Sequence, residues 1–177
     1  MEKKDTIIRI ALIGPESTGK STLAKQLAEH YQTLWIEEYA REYLPKLSEH
    51  YTINDILAIA QEQLRRENAA LPDAHKFLFA DTELILAKVW SEDLYNDCPA
   101  WISDNILPYK YDLYLLTYPD LDWKEDPLRE NPHRRKFLYD WYEKELKLID
   151  ATYAVIKGHG DARLINSIRA IENFLQH

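Results

Sequence analysis

Short apolar runs alternate with amphipathic segments along most of this chain. The runs are nearly continuous in their apolar character, which is typical of strands that are buried on both faces of a parallel sheet. Strands are predicted at residues 7–13, 32–36, 76–80, 111–116 and 153–157. This alternation with helical segments indicates an α/β fold.

The segments between the predicted strands carry apolar residues at helical spacing. The longest has Thr52 as its N-cap, Asp55 at its third position and an apolar stripe of Ile53, Ile56, Leu57, Ala60 and Leu64. Further helices are predicted at 21–30, 84–94, 138–149 and from about 161 onward. A helical turn at 39–44 is predicted to stop at Pro45. Residues 118–135 are charged and proline-rich, and they show neither the apolar pattern of a strand nor that of a helix.

Glycine is rare, with only four among the 177 residues, and two of the four lie in the octapeptide from Gly14 to Ser21. Its sequence, GPESTGKS, fits the phosphate-binding loop pattern G-x-x-x-x-G-K-[ST]. The loop lies between a predicted strand and a predicted helix, where backbone N–H groups and the helix dipole can cradle phosphates. In this arrangement Lys20 reaches the β- and γ-phosphates, and the Ser21 hydroxyl ligates Mg²⁺.

Together the elements and the loop predict a three-layer α/β sandwich with a P-loop NTPase fold. It has about five parallel strands with helices on both faces, and residues 1–177 form a single domain with a lid at 119–135. Ligands bind such sheets beyond the carboxyl ends of the strands. Candidate site residues are therefore those that directly follow each strand.

Composition excludes several classes of function. The net charge of −8 argues against general nucleic-acid binding. A lone cysteine, Cys98, excludes an internal disulfide framework, and no apolar stretch is long enough to span a bilayer. We therefore expect a cytoplasmic protein with no membrane or nucleic-acid partner, and its oligomeric state stays open.

Carboxylates follow two of the predicted strands. Asp81 ends the third strand and is predicted to organise Mg²⁺, although an Asp at this point can also cap the next helix. Glu38 follows the second strand and is predicted to orient and deprotonate an acceptor hydroxyl. The alternatives are an exposed first-turn acid, or the adjacent Glu37 in the same role.

A cluster of arginines lies in the segment 123–135. Guanidinium groups bind phosphate oxygens in a bidentate manner, so Arg129 and Arg134 are predicted to close over the triphosphate of ATP, with Arg129 the strongest candidate. Such a lid excludes water from the reacting groups. The alternative is a solvated loop between two elements.

Two further features stay open. The Gly158-His159-Gly160 loop can approach an adenine ring or can be a tight turn before the last helix. Any of five aromatic residues can stack on a planar base, although periodicity favours a core position for most of them: Trp35, Tyr39, Tyr43, Trp90 and Trp101.

Four segments occur in an order that resembles the ribosylnicotinamide kinase domain of the NadR-type NAD-biosynthesis proteins: 14–23, 38–43, 79–83 and 123–129. The resemblance spans nearly the whole chain. It implies ATP- and Mg²⁺-dependent phosphorylation of the 5′-hydroxyl of nicotinamide riboside, which gives nicotinamide mononucleotide, and a nucleotide-kinase-like fold with a mobile lid.

The resemblance also assigns roles to residues. It implies that the acceptor ribose and the metal lie among Glu38, Tyr39, Arg41 and Asp81, and that catalysis depends on Lys20, Glu38, Asp81 and Arg129. ATP phosphates are expected on Gly14, Glu16, Ser17, Thr18, Gly19, Lys20, Ser21 and Thr22.

Two departures from the family pattern leave the acceptor base open. The family's Asp-Thr-Asp is Asp81-Thr82-Glu83 here, and its lid Asp-Gly is the stiffer Asp126-Pro127. A neutral deoxynucleoside is therefore an alternative acceptor.

Two other functions remain as alternatives. An AAA-type ATPase is one, but the third strand lacks the adjacent Asp-Glu with which such motors activate water, and the chain leaves no room for their helical subdomain. A regulatory nucleotide-binding module is the other, but the Asn-Lys-x-Asp signature that reads guanine is missing.

Overall fold

All five predicted apolar runs form strands in the computed structural model, which describes residues 6–177. The strands are β1 (Ile8–Ile13), β2 (Leu34–Ile36), β3 (Phe77–Asp81), β4 (Leu113–Thr117) and β5 (Tyr153–Ile156). They form one sheet in the order β2-β3-β1-β4-β5, and every neighbouring pair is parallel. The predicted P-loop kinase-type fold is thereby confirmed.

The register places the functional strand ends side by side. Leu12 of β1 pairs with Asp81 at the end of β3 and, on its other side, with Leu115 of β4. The loop that follows β1 therefore emerges beside the carboxylate of Asp81.

Seven helices cover the two faces of the sheet in the described part of the chain: α1 (Lys20–His30), α2 (Ala40–Tyr43), α3 (Ile53–Ala70), α4 (Leu84–Tyr95), α5 (Ala100–Ile106), α6 (Arg135–Leu148) and α7 (Asp161–Leu175). Side chains of α1 and α7 pack on one face, against strand residues such as Ile10 and Leu115. Helices α3 to α6 pack on the other face, against Ile13 and Tyr114 among others. Alternate residues of the central strands thus point into two separate cores, as expected for a strand period of two.

The long helix begins as predicted. The backbone N–H of Thr52 donates to the Asp55 carboxylate at 2.7 Å, which completes a capping box. The predicted apolar stripe is only partly correct, because Ile53 and Leu57 are half-exposed whereas two polar residues, Gln63 and Glu67, are buried. Apolar periodicity cannot identify polar side chains that are buried because they have hydrogen-bond partners.

Helix α5 was not predicted from the sequence. It is short and follows Pro99, and only Ile102 and Ile106 are buried within it, so its apolar signal is weak. The turn at Pro45 also differs, because Leu44–Lys46 continues α2 as a 3₁₀ turn with the proline near its start. The segment between β4 and α6 contains no helix or strand, which agrees with the prediction for residues 118–135.

Within residues 6–177, no helix has both the length and the apolar character that crossing a membrane requires.

Candidate active site

The glycine-rich loop between β1 and α1 is a tight bend that packs against the end of β4. A Cβ atom on Gly14 would lie 2.2 Å from the Thr117 hydroxyl oxygen, so only glycine fits there. The Thr18 hydroxyl bonds to the Pro15 carbonyl and to the Thr117 hydroxyl, both at 2.7 Å. Gly19 precedes α1 with φ of 78°, in the left-handed region. The loop backbone is therefore held at both ends.

Lys20 extends back over this loop. Its ammonium donates to the carbonyls of Gly14 at 2.9 Å and Pro15 at 2.8 Å. Burial of this group lowers the pKa of Lys20, while the nearby carboxylates of Glu38 and Asp81 oppose that shift. A cation is thus held close to two acids at the strand ends.

Ser21 and Asp81 form the second part of the site. The Ser21 hydroxyl donates to Oδ2 of Asp81, whose side chain is buried. The other carboxylate oxygen, Oδ1, is buried and has no hydrogen-bond partner among the described residues. Burial, and then repulsion from Glu38, raises the pKa of Asp81 to about 7.

This pair fits a magnesium ion. Mg²⁺ takes oxygen ligands and is usually bound through one or two carboxylates together with substrate phosphates. A hydroxyl and a carboxylate with an unpaired buried oxygen supply such ligands. Among residues 6–177, no cluster of three or more His, Cys, Asp or Glu side chains could hold a metal by itself.

Glu38 lies opposite the loop, immediately before α2. Its carboxylate is 3.3 Å from Nε of Arg41, and Arg41 also donates to Asp126 of the lid segment at 2.8 Å. Glu38 and Arg41 both line the cavity that the loop borders. Glu37 is exposed and is not among the lining residues, so the geometry favours Glu38 over Glu37.

The cavity has a volume of about 320 Å³. One end is the glycine-rich loop, and α4 contributes the apolar residues Leu86, Val89 and Trp90 to the wall. Of the five aromatic candidates, Trp90 lines the cavity. Tyr39 does not, because its ring packs on the Arg66 guanidinium at 4.3 Å and beside Tyr43. Trp35 and Trp101 pack against the two cores.

The predicted lid segment lies directly on the glycine-rich loop. The Glu16 carboxylate accepts the backbone N–H groups of Glu130 and Asn131, and the Ser17 hydroxyl accepts the N–H of Lys124 at 2.9 Å. Residues 127–131 form part of the cavity wall. The segment therefore covers the cavity on the side of the loop.

The arginines of the lid are placed differently from one another. Arg129 lines the cavity, as a triphosphate contact requires. Arg134 is directed elsewhere and makes a bidentate pair with Asp93 of α4, at 2.7 and 2.8 Å. Arg135, the third arginine of the predicted cluster, donates to the Ser17 carbonyl at 3.2 Å. The predicted phosphate role of Arg134 has no support from this arrangement.

Sequence reasoning missed Arg163, at the start of α7. Its guanidinium is buried and donates to the Thr18 carbonyl of the loop at 2.9 Å and to Asp120 at 2.7 Å. It also bonds to the carbonyls of Tyr118 and Gly158. One side chain thus joins the glycine-rich loop, the start of the lid and the loop after β5. Nothing in its helical pattern distinguishes it from an exposed arginine.

The Gly158-His159-Gly160 loop takes part in the same network. The N–H of Gly158 donates to Asp120 at 2.8 Å, and Gly160 precedes α7 with φ of 54°. This is a tight turn before the helix.

We expect the Arg163→Met variant to lose about 1–3 kcal/mol of unfolding free energy, because four carbonyl or carboxylate acceptors lose a charged donor. The exposed Arg169 lies on the same helix, and Arg169→Met is the matched control. Urea unfolding of both variants measures the difference. Equal stability of the two would contradict this role for Arg163.

The chain is similar to several known proteins. A family model described as an AAA domain matches residues 9–163. The chain is 28% identical over 135 residues to the trifunctional NAD biosynthesis/regulator protein NadR of Salmonella typhimurium. That match covers 72% of this chain and 32% of NadR, so the chain spans about a third of the length of this relative.

Solved structures show the same fold. A crystal structure of NadR in complex with NR superimposes with a TM-score of 0.76 at 22% identity, covering 97% of this chain and 52% of that one. Deoxyadenosine kinase from M. mycoides, solved with dCMP and dCDP, gives a TM-score of 0.62 at 14% identity, covering 96% of this chain and 99% of that one. The resemblance that the four sequence segments indicate is confirmed.

Proposed function

The chain belongs to the family described as an AAA domain, and we propose that within this family it is a nucleoside kinase. It transfers the γ-phosphate of ATP to the 5′-hydroxyl of a nucleoside, and nicotinamide riboside is the favoured acceptor. One observation carries the proposal: the glycine-rich loop and Glu38 border the same cavity, and Asp81 is hydrogen-bonded to Ser21 of that loop.

The loop supplies the phosphate site. Its backbone N–H groups and the N-terminus of α1 bind the phosphates, and Lys20 exchanges its two loop carbonyls for phosphate oxygens. Ser21 and Asp81 would hold Mg²⁺, and the ion would neutralise phosphate charge there. The buried Oδ1 of Asp81 supports this assignment because it has no partner among the described residues.

Glu38 receives the proton of the acceptor hydroxyl. Phosphoryl transfer depends mainly on positioning and charge stabilisation, together with one carboxylate that orients the attacking oxygen. The ion pair with Arg41 fixes the direction of this carboxylate. Arg41 also bonds to Asp126 of the lid, so the acceptor side of the cavity and its cover are joined.

The acceptor base is assigned to the apolar wall at α4. Trp90 offers a flat ring there, and Glu49 and Glu130 are acidic members of the lining. An aromatic surface with carboxylates nearby favours a cationic ring, and the pyridinium of nicotinamide riboside is such a ring. The similarity to NadR supports the same acceptor.

A deoxynucleoside is the second candidate acceptor. The similarity to deoxyadenosine kinase covers nearly all of both chains, and the wall at α4 would also accept a neutral base. The family description alone is compatible with an ATPase, but Glu83 does not line the cavity. Its carboxylate accepts the N–H groups of Ile85 and Leu86 at 2.8 and 3.0 Å, so it caps α4 and is not available to activate a water molecule.

An acceptor panel tests the proposal. ADP release is measured with Mg²⁺ and ATP in the presence of nicotinamide riboside, nicotinic acid riboside, deoxyadenosine, deoxycytidine or no acceptor, and products are identified by mass spectrometry. Nicotinamide riboside is expected to give the highest kcat/KM. Nicotinic acid riboside, whose carboxylate cancels the ring charge, is expected to be at least about tenfold poorer, which equals roughly 1.4 kcal/mol of transition-state binding.

The outcomes separate the candidates. Highest activity with a deoxynucleoside would overturn nicotinamide riboside as the acceptor and leave the kinase proposal intact. Equal ADP release with and without acceptor would instead support an ATPase. A thermal-shift series with a nonhydrolysable ATP analogue gives an independent measure, because a ligand of the folded state raises the melting temperature.

A further inference from the structure

Gln63 of α3 is buried beneath the two strand ends that carry Glu38 and Asp81. Its side-chain oxygen accepts the backbone N–H of Tyr39 at 2.8 Å. Its amide nitrogen donates to the carbonyl of Glu37 at 3.1 Å and to that of Asp81 at 3.3 Å. All three partners are backbone groups. These contacts therefore depend on where the backbone lies and not on which side chains the partner residues carry.

These contacts hold both peptide groups that flank Glu38. The Glu37 carbonyl belongs to the peptide before Glu38, and the Tyr39 N–H belongs to the peptide after it. The peptide plane on each side fixes where the Cα–Cβ bond of Glu38 points. A single amide therefore holds the direction of the Cα–Cβ bond from which the Glu38 side chain enters the cavity.

The third contact reaches across to the neighbouring strand. The ladder between β2 and β3 ends at the pair Ile36 and Ala80, one residue before Glu37 and Asp81. Beyond that pair no strand register between β2 and β3 fixes their separation, and the Gln63 amide bonds to both chains there. It continues the hydrogen bonding of the sheet with a side chain at the point where the site opens.

The helix that carries Gln63 is itself well anchored. One turn further along, the buried Glu67 accepts from Arg9 of β1 at 2.6 Å and from the Tyr111 hydroxyl at 2.6 Å. Gln63 is thus a short, fully hydrogen-bonded link between a rigid helix and two strand ends.

We propose that Gln63 is a positioning residue that sets the separation and direction of Glu38 relative to Asp81. This role rests on the proposed kinase function. Phosphoryl transfer requires the acceptor oxygen to be in line with the γ-phosphate, and a misplacement of about 1 Å costs up to about 10²-fold in rate. Gln63 touches neither substrate, and it acts through the backbone of the residues that do.

The test uses Gln63→Met, which keeps the size of the side chain but neither donates nor accepts, and Gln63→Glu, which is nearly isosteric. In Gln63→Glu an ionised carboxylate still accepts from Tyr39 but opposes the carbonyls of Glu37 and Asp81. The exposed Gln61 lies on the same helix, so Gln61→Met and Gln61→Glu are matched controls. The full chain is assayed with ATP, Mg²⁺ and nicotinamide riboside.

Both Gln63 variants are expected to lower kcat by about 10–100-fold, with the KM for ATP within about twofold of wild type because the glycine-rich loop is untouched. ADP formed per phosphorylated nucleoside is expected to rise, since a misaligned acceptor leaves the γ-phosphate open to water. The Gln61 variants are expected to behave as wild type.

A melting temperature that falls while kcat per folded enzyme and the product ratio stay at wild-type values would overturn the positioning role and leave the kinase proposal intact. A wild-type protein that phosphorylates no nucleoside would overturn both.

Discussion

We expect the Lys20→Met variant to lose about 10²–10³-fold in kcat, the cost that follows removal of one preorganised donor to developing charge. Lys20 lies within the glycine-rich loop, where the carbonyls of Gly14 and Pro15 accept from its ammonium. Burial lowers the pKa of Lys20, and Glu38 and Asp81 oppose the shift. A charge that is already desolvated interacts strongly with phosphate oxygens.

Stability is expected to change much less than activity in this variant. Methionine removes a buried charge together with its desolvation cost, and it also removes two hydrogen bonds to carbonyls, so the unfolding free energy should stay within about 1 kcal/mol of wild type. Steady-state kinetics and urea unfolding measure the two quantities. Lys25→Met is the control, because Lys25 is an exposed lysine of the same helix. Retention of more than a tenth of wild-type kcat would contradict the assignment of Lys20.

Glu38→Gln is expected to lower kcat by about 10²–10⁴-fold, the range for loss of a general base. The dependence of this variant's activity on Mg²⁺ concentration should stay that of wild type, because Ser21 and Asp81 are unchanged. Glu37→Gln is the matched control, since Glu37 is the adjacent, exposed acid.

The Asp81→Asn variant distinguishes the role of the Asp81 carboxylate from that of the Glu38 carboxylate. Asparagine can still accept from Ser21, but it presents a neutral group where the buried Oδ1 now lies. The Mg²⁺ concentration for half-maximal activity is therefore expected to rise by at least about tenfold, since Mg²⁺ prefers ionised carboxylate oxygens. The opposite pattern, with a Mg²⁺ effect in Glu38→Gln and only a kcat effect in Asp81→Asn, would exchange the two roles.

Local patterns were sufficient for the elements that bury apolar area in a regular way. Each of the five strands lies in a nearly continuous apolar run, and each long helix has an amphipathic stripe, so these local patterns alone predicted the elements. Helix α5 was not predicted, because two buried isoleucines at one spacing are too few to define a period.

The glycine-rich loop was predictable for a related reason. Its function depends on backbone N–H groups and on positions that tolerate no Cβ, such as Gly14. Consecutive residues of the chain meet both requirements, so a short sequence motif identifies the loop. The position of Asp81 beside Ser21 depends on the pairing of β1 with β3 in the folded sheet, because the carboxyl ends of adjacent parallel strands meet.

Contacts between distant segments were not predictable in this way. Arg134 and Arg135 are neighbours in the chain, yet one pairs with Asp93 and the other with the Ser17 carbonyl. Their directions depend on how the lid enters α6, and no local pattern encodes that.

The amino-acid order of this chain was enough to predict the strands, the long helices, the phosphate loop and the acids at the strand ends, because each of these is a run of residues close together in the chain. The buried polar links, Gln63 beneath Glu38 and Arg163 behind Thr18, came only from the folded molecule. A polar side chain is more easily buried when partners from remote segments satisfy most of its hydrogen bonds, and those partners come together only once the segments have packed.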